Sequence, residues 1–274
     1  MEGDFIMLIS EFMKELYDFT ENTPALYEKT CDTLKTGDPS RTLTKVATAM
    51  FATPEVIRQA AAWGANLIIV HEPLFYDHMD DPVTRAEQTG LLRRIIDAKT
   101  KLLEETGMTV FRFHDHPHCA GKDWISMGEV KFWGLAGKWI KGNFYAVNRF
   151  ELAEPMTAEK LAETLEKNLG IRRIRIAGSP DTVCRKLGLC FGTPGHLLDE
   201  LEVCDVVLTG EICEWSQGEP VRDMAELMPE KKALLVMSHI GSERDGMRLT
   251  AERIAEHFPG LEARYFECGE VYCR

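Results

Sequence analysis

The sequence predicts an α/β fold with two lobes, formed by residues 1–130 with 209–274 and by residues 131–208. A strand, a helix with both ends marked and a second apolar strand follow one another over residues 45–70. The middle of the chain has strand-like and helix-like segments of its own, which we interpret as the second lobe. Candidate ligands at 71–118 and again at 239–243 require the chain to return to its first lobe.

The clearest local prediction is the βαβ unit of the first lobe. Lys45–Ala52 has the composition of a strand, and Thr53 and Pro54 then provide an N-cap and a first helical residue. Gly64 ends that helix, and the wholly apolar Leu67–Val70 follows it. A short apolar strand after such a helix is expected to be parallel to the first strand and buried on both faces.

The rest of the first lobe follows from the same periodicities. Residues 8–19 have the apolar spacing of an amphipathic helix. Thr84–Glu87 fits a capping box that opens a long helix, and Gly107 closes it. The next strand, "TVFRF", runs directly into "HDHPHCAGKD" (114–123), which is too polar for a core and is predicted to be a loop.

The second lobe and the C-terminal part of the chain complete the prediction. Residues 133–152 combine aromatic and β-branched residues with glycines, which favours antiparallel strands, and Thr157 begins a helix that Gly170 ends. The remaining predicted elements are strands within 171–178, 205–212, 233–243 and 262–272, and a helix over Arg244–Phe258.

The composition of the chain indicates which partners and which cellular compartment to expect for the protein. The 44 acidic and 32 basic residues give a net charge of −12, which disfavours nucleic acid as a partner. Eight cysteines without a CxxC pair, after an acidic N-terminal segment, predict a cytoplasmic protein with reduced thiols. No apolar run approaches the ~20 residues that cross a bilayer, so no membrane span is expected.

Three predicted strands run directly into histidines. His71 follows "LIIV", His114 follows "TVFRF" and His239 follows "ALLVMS". In open α/β sheets ligands bind beyond the carboxyl ends of parallel strands, so three histidines in this position can converge on one crevice. A single histidine at a strand end is more often a hydrogen-bonded core or surface residue, so the prediction rests on the three together.

Each of these histidines has a polar companion. Glu72 follows His71 directly, and "HDHPH" holds three histidines, including His118, within five residues. Glu243 comes four residues after His239, which places both on one face if a helix has begun. Imidazole and carboxylate ligands suit zinc, iron, manganese or nickel, whereas ungrouped cysteines argue against a structural zinc site made of thiolates.

The segments "TGDPSRTLTKVATAMFATPEVIRQAAAWGANLIIVHEPLF", the strand before His114, and "TGEI" with "SHIGSERDGMRLTAERI" resemble one known family. This is the NIF-three-like family of dinuclear-metal-centre hexameric proteins, often labelled GTP cyclohydrolase 1 type 2. The resemblance covers about residues 36–130 and 203–274 and is loose between them. It implies a NIF-three-like fold of two α/β lobes, with mixed sheets flanked by helices, and a homohexamer.

The resemblance also implies a ligand set for one or two divalent ions per chain. Four positions match the family's motifs directly: His71, His114, His239 and Glu243. Glu72 stands where the family has a second histidine, and His118 stands where it has an aspartate that bridges the ions. We hypothesise that Glu72 supplies the lost carboxylate and that Glu243 bridges if two ions bind.

Metal-dependent hydrolysis of a small molecule by a metal-bound water is the reaction that such a site predicts. Asp115, His116 or Glu211 are the candidates for moving protons. The family label implies a nucleotide such as GTP, although no residue points independently to a guanine pocket. The alternative is a metal-binding scaffold or regulatory protein without turnover.

Overall fold

Strands and helices alternate through the part of the chain that the computed structural model describes, residues 6–20, 30–142 and 146–272. Its strands are β1 (Leu34–Thr36), β2 (Lys45–Ala49), β3 (Leu67–Val70), β4 (Thr109–Arg112), β5 (Gly137–Lys141), β6 (Val147–Thr157), β7 (Arg175–Gly178), β8 (Val183–Cys190), β9 (Val206–Thr209), β10 (Ala233–Val236) and β11 (Glu262–Tyr265). Its α-helices are α1 (Ile9–Phe19), α2 (Pro54–Trp63), α3 (Pro82–Glu87), α4 (Gly90–Thr106), α5 (Asp115–Cys119), α6 (Trp124–Trp133), α7 (Ala158–Leu169), α8 (Leu197–Val203), α9 (Glu219–Leu227) and α10 (His239–His257). A π-helical turn spans Glu214–Gly218. No helix within the described ranges is long and apolar enough to cross a membrane.

The chain divides into two compact units. The first unit is Met1–Trp124 with Met247–Gly269, and the second is Ile125–Gly246 with Glu270–Arg274. Each unit is built on its own sheet. The fold is α/β with two mixed sheets flanked by helices, as the sequence predicts.

The sheet of the first unit has five strands in the order β1-β4-β3-β2-β11. β2, β3, β4 and β11 are parallel, and β1 runs antiparallel to β4 at one edge. All residues of β3 and β4 are buried, as expected for strands in the interior of a parallel sheet. Side chains from α2 and α4 pack with the sheet in one apolar cluster that includes Val56, Ile57, Ile68, Ile96 and Val110.

The helix of the predicted βαβ unit has the ends that the sequence predicts. The side chain of Thr53 accepts a hydrogen bond from the Val56 N–H, and Pro54 is the first helical residue. Gly64 has φ 89°, a left-handed conformation in which glycine avoids the steric cost of a Cβ atom. Leu67–Val70 then pairs in parallel with β2, so this unit is confirmed.

The prediction of one long helix opened at Thr84 is wrong. The segment forms two helices, because Gln88 adopts an extended conformation after α3. The N-cap of α3 is Asp81, whose side chain accepts the N–H groups of Val83 and Thr84, and Pro82 follows it. The Asp81-Pro82 pair therefore marks the start of this helix better than the capping-box pattern at Thr84 does. The predicted end of the second helix at Gly107 is confirmed.

The second unit contains a six-stranded mixed sheet in the order β5-β6-β8-β9-β10-β7. β8, β9 and β10 are parallel, while β5, β6 and β7 pair antiparallel with their neighbours. The expected antiparallel pairing within 133–152 is thus confirmed for the described residues. Its apolar core gathers α7 and the sheet, with members that include Trp133, Leu161, Leu165, Leu187 and Leu235.

The compact units differ from the predicted lobes in where residues 209–246 belong. The sequence predicts them in the first lobe, whereas β10 pairs with β9 and β7 in the sheet of the second unit. The apolar segment Ala233–Val236 is compatible with either sheet, because its sequence does not specify its neighbours. The C-terminal β11 does pair with β2 of the first unit.

Candidate metal centre

The carboxyl ends of β3 and β4 place two histidines side by side in the first unit. The strands are parallel neighbours with Val70 opposite Arg112, so the segments that follow them leave the sheet at the same edge. His71 comes directly after β3 and is fully buried, and His114 comes two residues after β4. Their ring centroids are 4.5 Å apart.

The segment "HDHPH" forms the short helix α5 and not the predicted loop. His114 occupies the N-cap position, and His118 lies in the helix four residues later. One helical turn therefore separates the two side chains. The ring of His118 lies 5.2 Å from that of His114 and 5.1 Å from that of His71.

These three residues, His71, His114 and His118, form what we call the histidine cluster. One ligand nitrogen of each lies within 4.8 Å of the ligand nitrogens of the other two. The pKa of His114 is lowered to about 4, chiefly by burial and further by the neighbouring His71. His114 is therefore neutral at pH 7, which is the state that binds a metal ion.

Carboxylates contact the Nδ1 atoms of two rings in the histidine cluster. Nδ1 of His114 lies 3.0 Å from Oδ1 of Asp115, and Nδ1 of His118 lies 3.1 Å from Oδ2 of Asp123. A carboxylate at Nδ1 favours the tautomer with the proton on that atom, which leaves the Nε2 lone pair to bind an ion. Asp115, a predicted proton carrier, thus lies where it orients His114.

Asp32 is the most important residue that the sequence analysis missed. Its buried carboxylate accepts hydrogen bonds from the backbone N–H groups of His114 (2.6 Å), Asp115 (2.9 Å) and His116 (2.7 Å). It also contacts Nδ1 of His116 at 2.7 Å. Burial alone raises the pKa of Asp32, but the hydrogen bonds from His116 and the backbone outweigh it, so the pKa is lowered. Asp32 thereby holds the start of α5 from a position 82 residues earlier in the chain.

His116, the other candidate proton carrier of this segment, contacts Asp32 and Tyr17. Besides its contact with Asp32, its ring lies 4.2 Å from the ring of Tyr17 in α1. Tyr17 donates its hydroxyl hydrogen to the backbone carbonyl of Asp32. His116 therefore belongs to the packing that joins α1 to α5.

Glu72 has a buried cation as its neighbour. Its Oε2 lies 3.5 Å from Nη2 of Arg112, the fully buried last residue of β4. Arg112 also donates to the backbone carbonyl of His71 at 2.9 Å. Glu72 offers a carboxylate oxygen within 4.8 Å of a ring nitrogen of His71, so it has the position of a possible ligand and a cation that balances its charge.

In the second unit, His239 lies between two glutamates, and we call Glu211, His239 and Glu243 the His239 group. Nδ1 of His239 lies 2.7 Å from Oε1 of Glu211, and Nε2 lies 3.2 Å from Oε2 of Glu243. α10 begins at His239, so the two predicted ligands do share one face of a helix. Glu211 is half-exposed, whereas Glu243 is buried.

Two backbone features shape the surroundings of the His239 group. Ser238 has φ 79°, which is rare for a residue with a side chain, and its hydroxyl caps α10 by accepting the N–H of Gly241 at 2.9 Å. Gly192 has φ 65°, and a Cβ atom there would lie 2.7 Å from Oε1 of Glu243. Glycine at 192 therefore leaves the space that the Glu243 carboxylate occupies.

A buried pair of acids in the second unit also escaped the sequence analysis. Oε1 of Glu129 accepts the backbone N–H of Asp245 at 2.8 Å, and neither side chain is accessible to solvent beyond about 1%. Burial raises the pKa of Glu129 well above its usual value, and the charge of Asp245 raises it further. Burial and the neighbouring acid therefore favour the protonated form of Glu129.

The donor chemistry of the histidine cluster fits a divalent transition-metal ion. Three imidazole nitrogens, from rings of which two are oriented by carboxylates, are the ligands that zinc, iron, nickel and copper prefer. Magnesium and calcium prefer oxygen ligands and do not fit the cluster.

Most of the chain matches one protein family, described as Duf34/NIF3 (NGG1p interacting factor 3), over residues 7–105 and 118–269. A relative in Clostridium perfringens (strain 13 / Type A), named GTP cyclohydrolase 1 type 2 homolog, is 25% identical over 225 residues, which are 77% of this chain and 82% of the relative. A protein of the same name in Chlamydia pneumoniae is 34% identical over 95 residues, which are 33% of this chain and 34% of that protein.

Solved structures share the fold at low sequence identity. The protein ybgI, described as of unknown function, has a TM-score of 0.75 and 19% identity, with 97% of this chain and 100% of that chain covered. A Bacillus cereus protein related to NIF3 has a TM-score of 0.71 and 13% identity, with 97% and 98% covered. The chain, with its two mixed sheets and its match over most of its length, belongs to the Duf34/NIF3 family.

Proposed function

We propose that the histidine cluster binds a divalent metal ion and that the protein is a metal-dependent hydrolase. The observation that carries the proposal is the approach of three ligand nitrogens, from His71, His114 and His118, to within 4.8 Å of one another. Imidazole nitrogens at this spacing are donors that a divalent transition-metal ion prefers.

The surrounding residues keep the rings ready for an ion. Asp115 and Asp123 hold the Nδ1 atoms of His114 and His118, while Asp32 fixes the backbone from which both side chains project. Because these contacts restrict the orientations of the rings, we expect little ordering cost to fall on the binding step. When bound, a divalent ion supplies Lewis acidity and an activated water for hydrolysis.

The ligand set proposed from the sequence is His71, Glu72, His114, His118, His239 and Glu243, with one or two zinc, iron, manganese or nickel ions per chain. The histidine cluster supports the part of the proposal that concerns the first unit. In the second unit, Glu211 is half-exposed and contacts Nδ1 of His239. This position supports a role for Glu211 in proton transfer or in orienting the His239 ring. We also propose a homo-oligomer, with the hexamer expected from the family resemblance as the first state to test.

The substrate class is proposed from relatives. Because the relatives in Clostridium perfringens and Chlamydia pneumoniae are named GTP cyclohydrolase 1 type 2 homologs, GTP is the first compound to test, followed by other nucleotides and phosphoesters.

The test has two parts, metal content and turnover. Protein purified without a chelator should contain at least about one zinc, iron, manganese or nickel ion per chain, and His118→Ala should contain much less. The metal-loaded protein is then screened for hydrolysis beside His118→Ala and a control, His196→Ala, whose ring lies outside the cluster and is largely exposed. The proposed hydrolase activity is supported if the wild-type protein and His196→Ala turn over a substrate and His118→Ala does not. Metal without any turnover favours the scaffold, and absence of metal contradicts the proposal.

A further inference from the structure

A second group of potential ligands lies beside the histidine cluster in the first unit. The Sγ atom of Cys31, a ring nitrogen of His114 and a carboxylate oxygen of Asp115 lie within 4.8 Å of one another. Sheet topology explains how residues so far apart in sequence meet. β1 runs antiparallel to β4 with Leu34 opposite Phe111, so the chain entering β1 adjoins the chain leaving β4.

We infer that Cys31, His114 and Asp115 form a second metal subsite, selective for a thiophilic divalent ion such as zinc. The inference rests on the proposed metal centre, because His114 belongs to both groups. It goes beyond the six predicted ligands, none of which is a cysteine.

One separation between ligand atoms is close to that of a tetrahedral site. Ligand atoms about 2.0–2.3 Å from a zinc ion lie roughly 3.3–3.8 Å from one another when the geometry is tetrahedral. Nδ1 of His114 and Oδ1 of Asp115 are 3.0 Å apart, so an ion between them requires a separation only a few tenths of an ångström larger. A water molecule can complete the coordination shell.

The carboxylate of Asp115 is already oriented for this role. Its Oδ2 accepts hydrogen bonds from the hydroxyl of Thr30 at 2.7 Å and from the backbone N–H of Cys31 at 3.1 Å. These bonds turn the other oxygen, Oδ1, toward His114. Bonds of this kind to the outer oxygen of a ligating carboxylate are typical of metal sites.

Two carboxylates lie beside the buried Cys31. Its Sγ lies 3.6 Å from Oδ1 of Asp32, and its backbone N–H donates to Oδ2 of Asp115 at 3.1 Å. Burial raises the pKa of Cys31, the Arg112 guanidinium lowers it, and the two carboxylates raise it further. Metal binding replaces the S–H proton of Cys31 and the Nδ1 proton of His114 with bonds to the ion, and both protons pass to the buffer.

The donor set determines which ions are expected. Thiolate, imidazole and carboxylate together suit zinc or cobalt(II), whereas magnesium, calcium and manganese prefer all-oxygen or oxygen-rich sites. A thiolate ligand also has a spectroscopic signature, because sulfur-to-cobalt charge transfer absorbs in the near ultraviolet. Histidine ligands alone produce only the visible ligand-field bands.

The test is a titration of the metal-free protein with cobalt(II), followed by absorption spectroscopy. The wild-type protein should develop the charge-transfer band, Cys31→Ser should lack it, and Cys119→Ser should keep it. Cys119 is the matched control because it adjoins His118 in sequence but belongs to no ligand group among the described residues. His118→Ala should keep the charge-transfer band while it loses the ion of the histidine cluster.

Circular dichroism shows whether Cys31→Ser folds. A second variant, Asp115→Asn, tests the subsite if Cys31→Ser folds poorly. Asp115→Asn retains the thiol of Cys31. It should weaken the cobalt(II) affinity of the second subsite, measured from the charge-transfer band, at least about tenfold. Visible bands without charge transfer in the wild-type protein would overturn this inference and leave the proposed metal centre standing. A charge-transfer band that persists in Cys31→Ser would also overturn it, and no cobalt absorption at all would contradict both proposals.

Discussion

The two units hold their histidines by different arrangements of similar residues. In the first unit three imidazoles face one another, and carboxylates contact two of them on Nδ1. In the second unit one imidazole, that of His239, lies between the carboxylates of Glu211 and Glu243. The first arrangement collects nitrogen donors and uses acids to orient them, while the second uses acids to surround a single ring. We expect the number of converging nitrogen atoms, and not the number of polar residues, to make the first arrangement the stronger candidate ion site.

The largest expected effect comes from removing one nitrogen donor of the histidine cluster. His118→Ala should lower the affinity for zinc by roughly 1,000-fold, or about 4 kcal/mol, because one of three ligands is lost. His239→Ala should lower it less, and His196→Ala should leave it unchanged. Competition titration with a chromogenic chelator measures all three. A larger loss in His239→Ala than in His118→Ala would reverse the comparison.

Asp32 should matter next, because its carboxylate fixes the backbone that carries two clustered histidines. Asp32→Asn loses the charge that accepts three backbone N–H groups and should lower the free energy of unfolding by about 3 kcal/mol. Urea denaturation of the metal-free protein measures the loss. Asp38→Asn is the control, because Asp38 is exposed and its carboxylate accepts hydrogen bonds only from Ser40 among the described residues. Equal stabilities of Asp32→Asn and Asp38→Asn would contradict this role.

The acids at Nδ1 provide a sharper comparison between the two units. Asp123 is almost fully buried against His118, whereas the side chain of Glu211 is 53% exposed beside His239. Asp123→Asn should weaken zinc binding by about 10- to 100-fold, since it removes the carboxylate that orients a ligand. Glu211→Gln should change it by less than about threefold, because solvent screens that carboxylate. Calorimetric titration at pH 7 tests the difference, and similar losses in both variants would show that burial does not distinguish the two acids.

The smallest effect at neutral pH is expected at Glu129, but it should depend on pH. The pKa of Glu129 is raised in the folded protein, so the folded state binds more protons than the unfolded state above about pH 4.5. The stability that depends on this proton is present at low pH and is lost as the pH rises through the folded-state pKa. Glu129→Gln cannot ionise, so its stability relative to the wild type should increase between pH 5 and 9. A constant difference across that range, measured by thermal denaturation, would contradict the raised pKa of Glu129.

The sequence predicted the elements whose signals are local. The βαβ unit was predicted because Thr53, Pro54 and Gly64 mark the helix ends and Leu67–Val70 is continuously apolar. The long helix opened at Thr84 was predicted wrongly, because the capping-box pattern concealed the stronger start at Asp81 and Pro82. The sheet to which Ala233–Val236 belongs depends on pairing between distant segments, and no local pattern specifies it.

Some residues of the candidate site could be predicted from the sequence and others could not. His71, His114 and His118 were found because each stands in or beside a recognisable motif, and the structure brings the three together. Asp32, Cys31 and Arg112 were missed, because an isolated acid, thiol or base carries no signal until the fold brings it to its partner. In each case that partner lies 40 or more residues away along the chain.

Anomalous X-ray diffraction from crystals of the zinc-loaded protein tests the central claim most directly. Data collected on both sides of the zinc absorption edge locate each ion without reference to any assumed site. We predict a peak within bonding distance of the Nε2 atoms of His114 and His118 and of one ring nitrogen of His71. Zinc peaks at other residues with none among these three rings, or no peak in crystals whose protein was loaded with zinc, would contradict it.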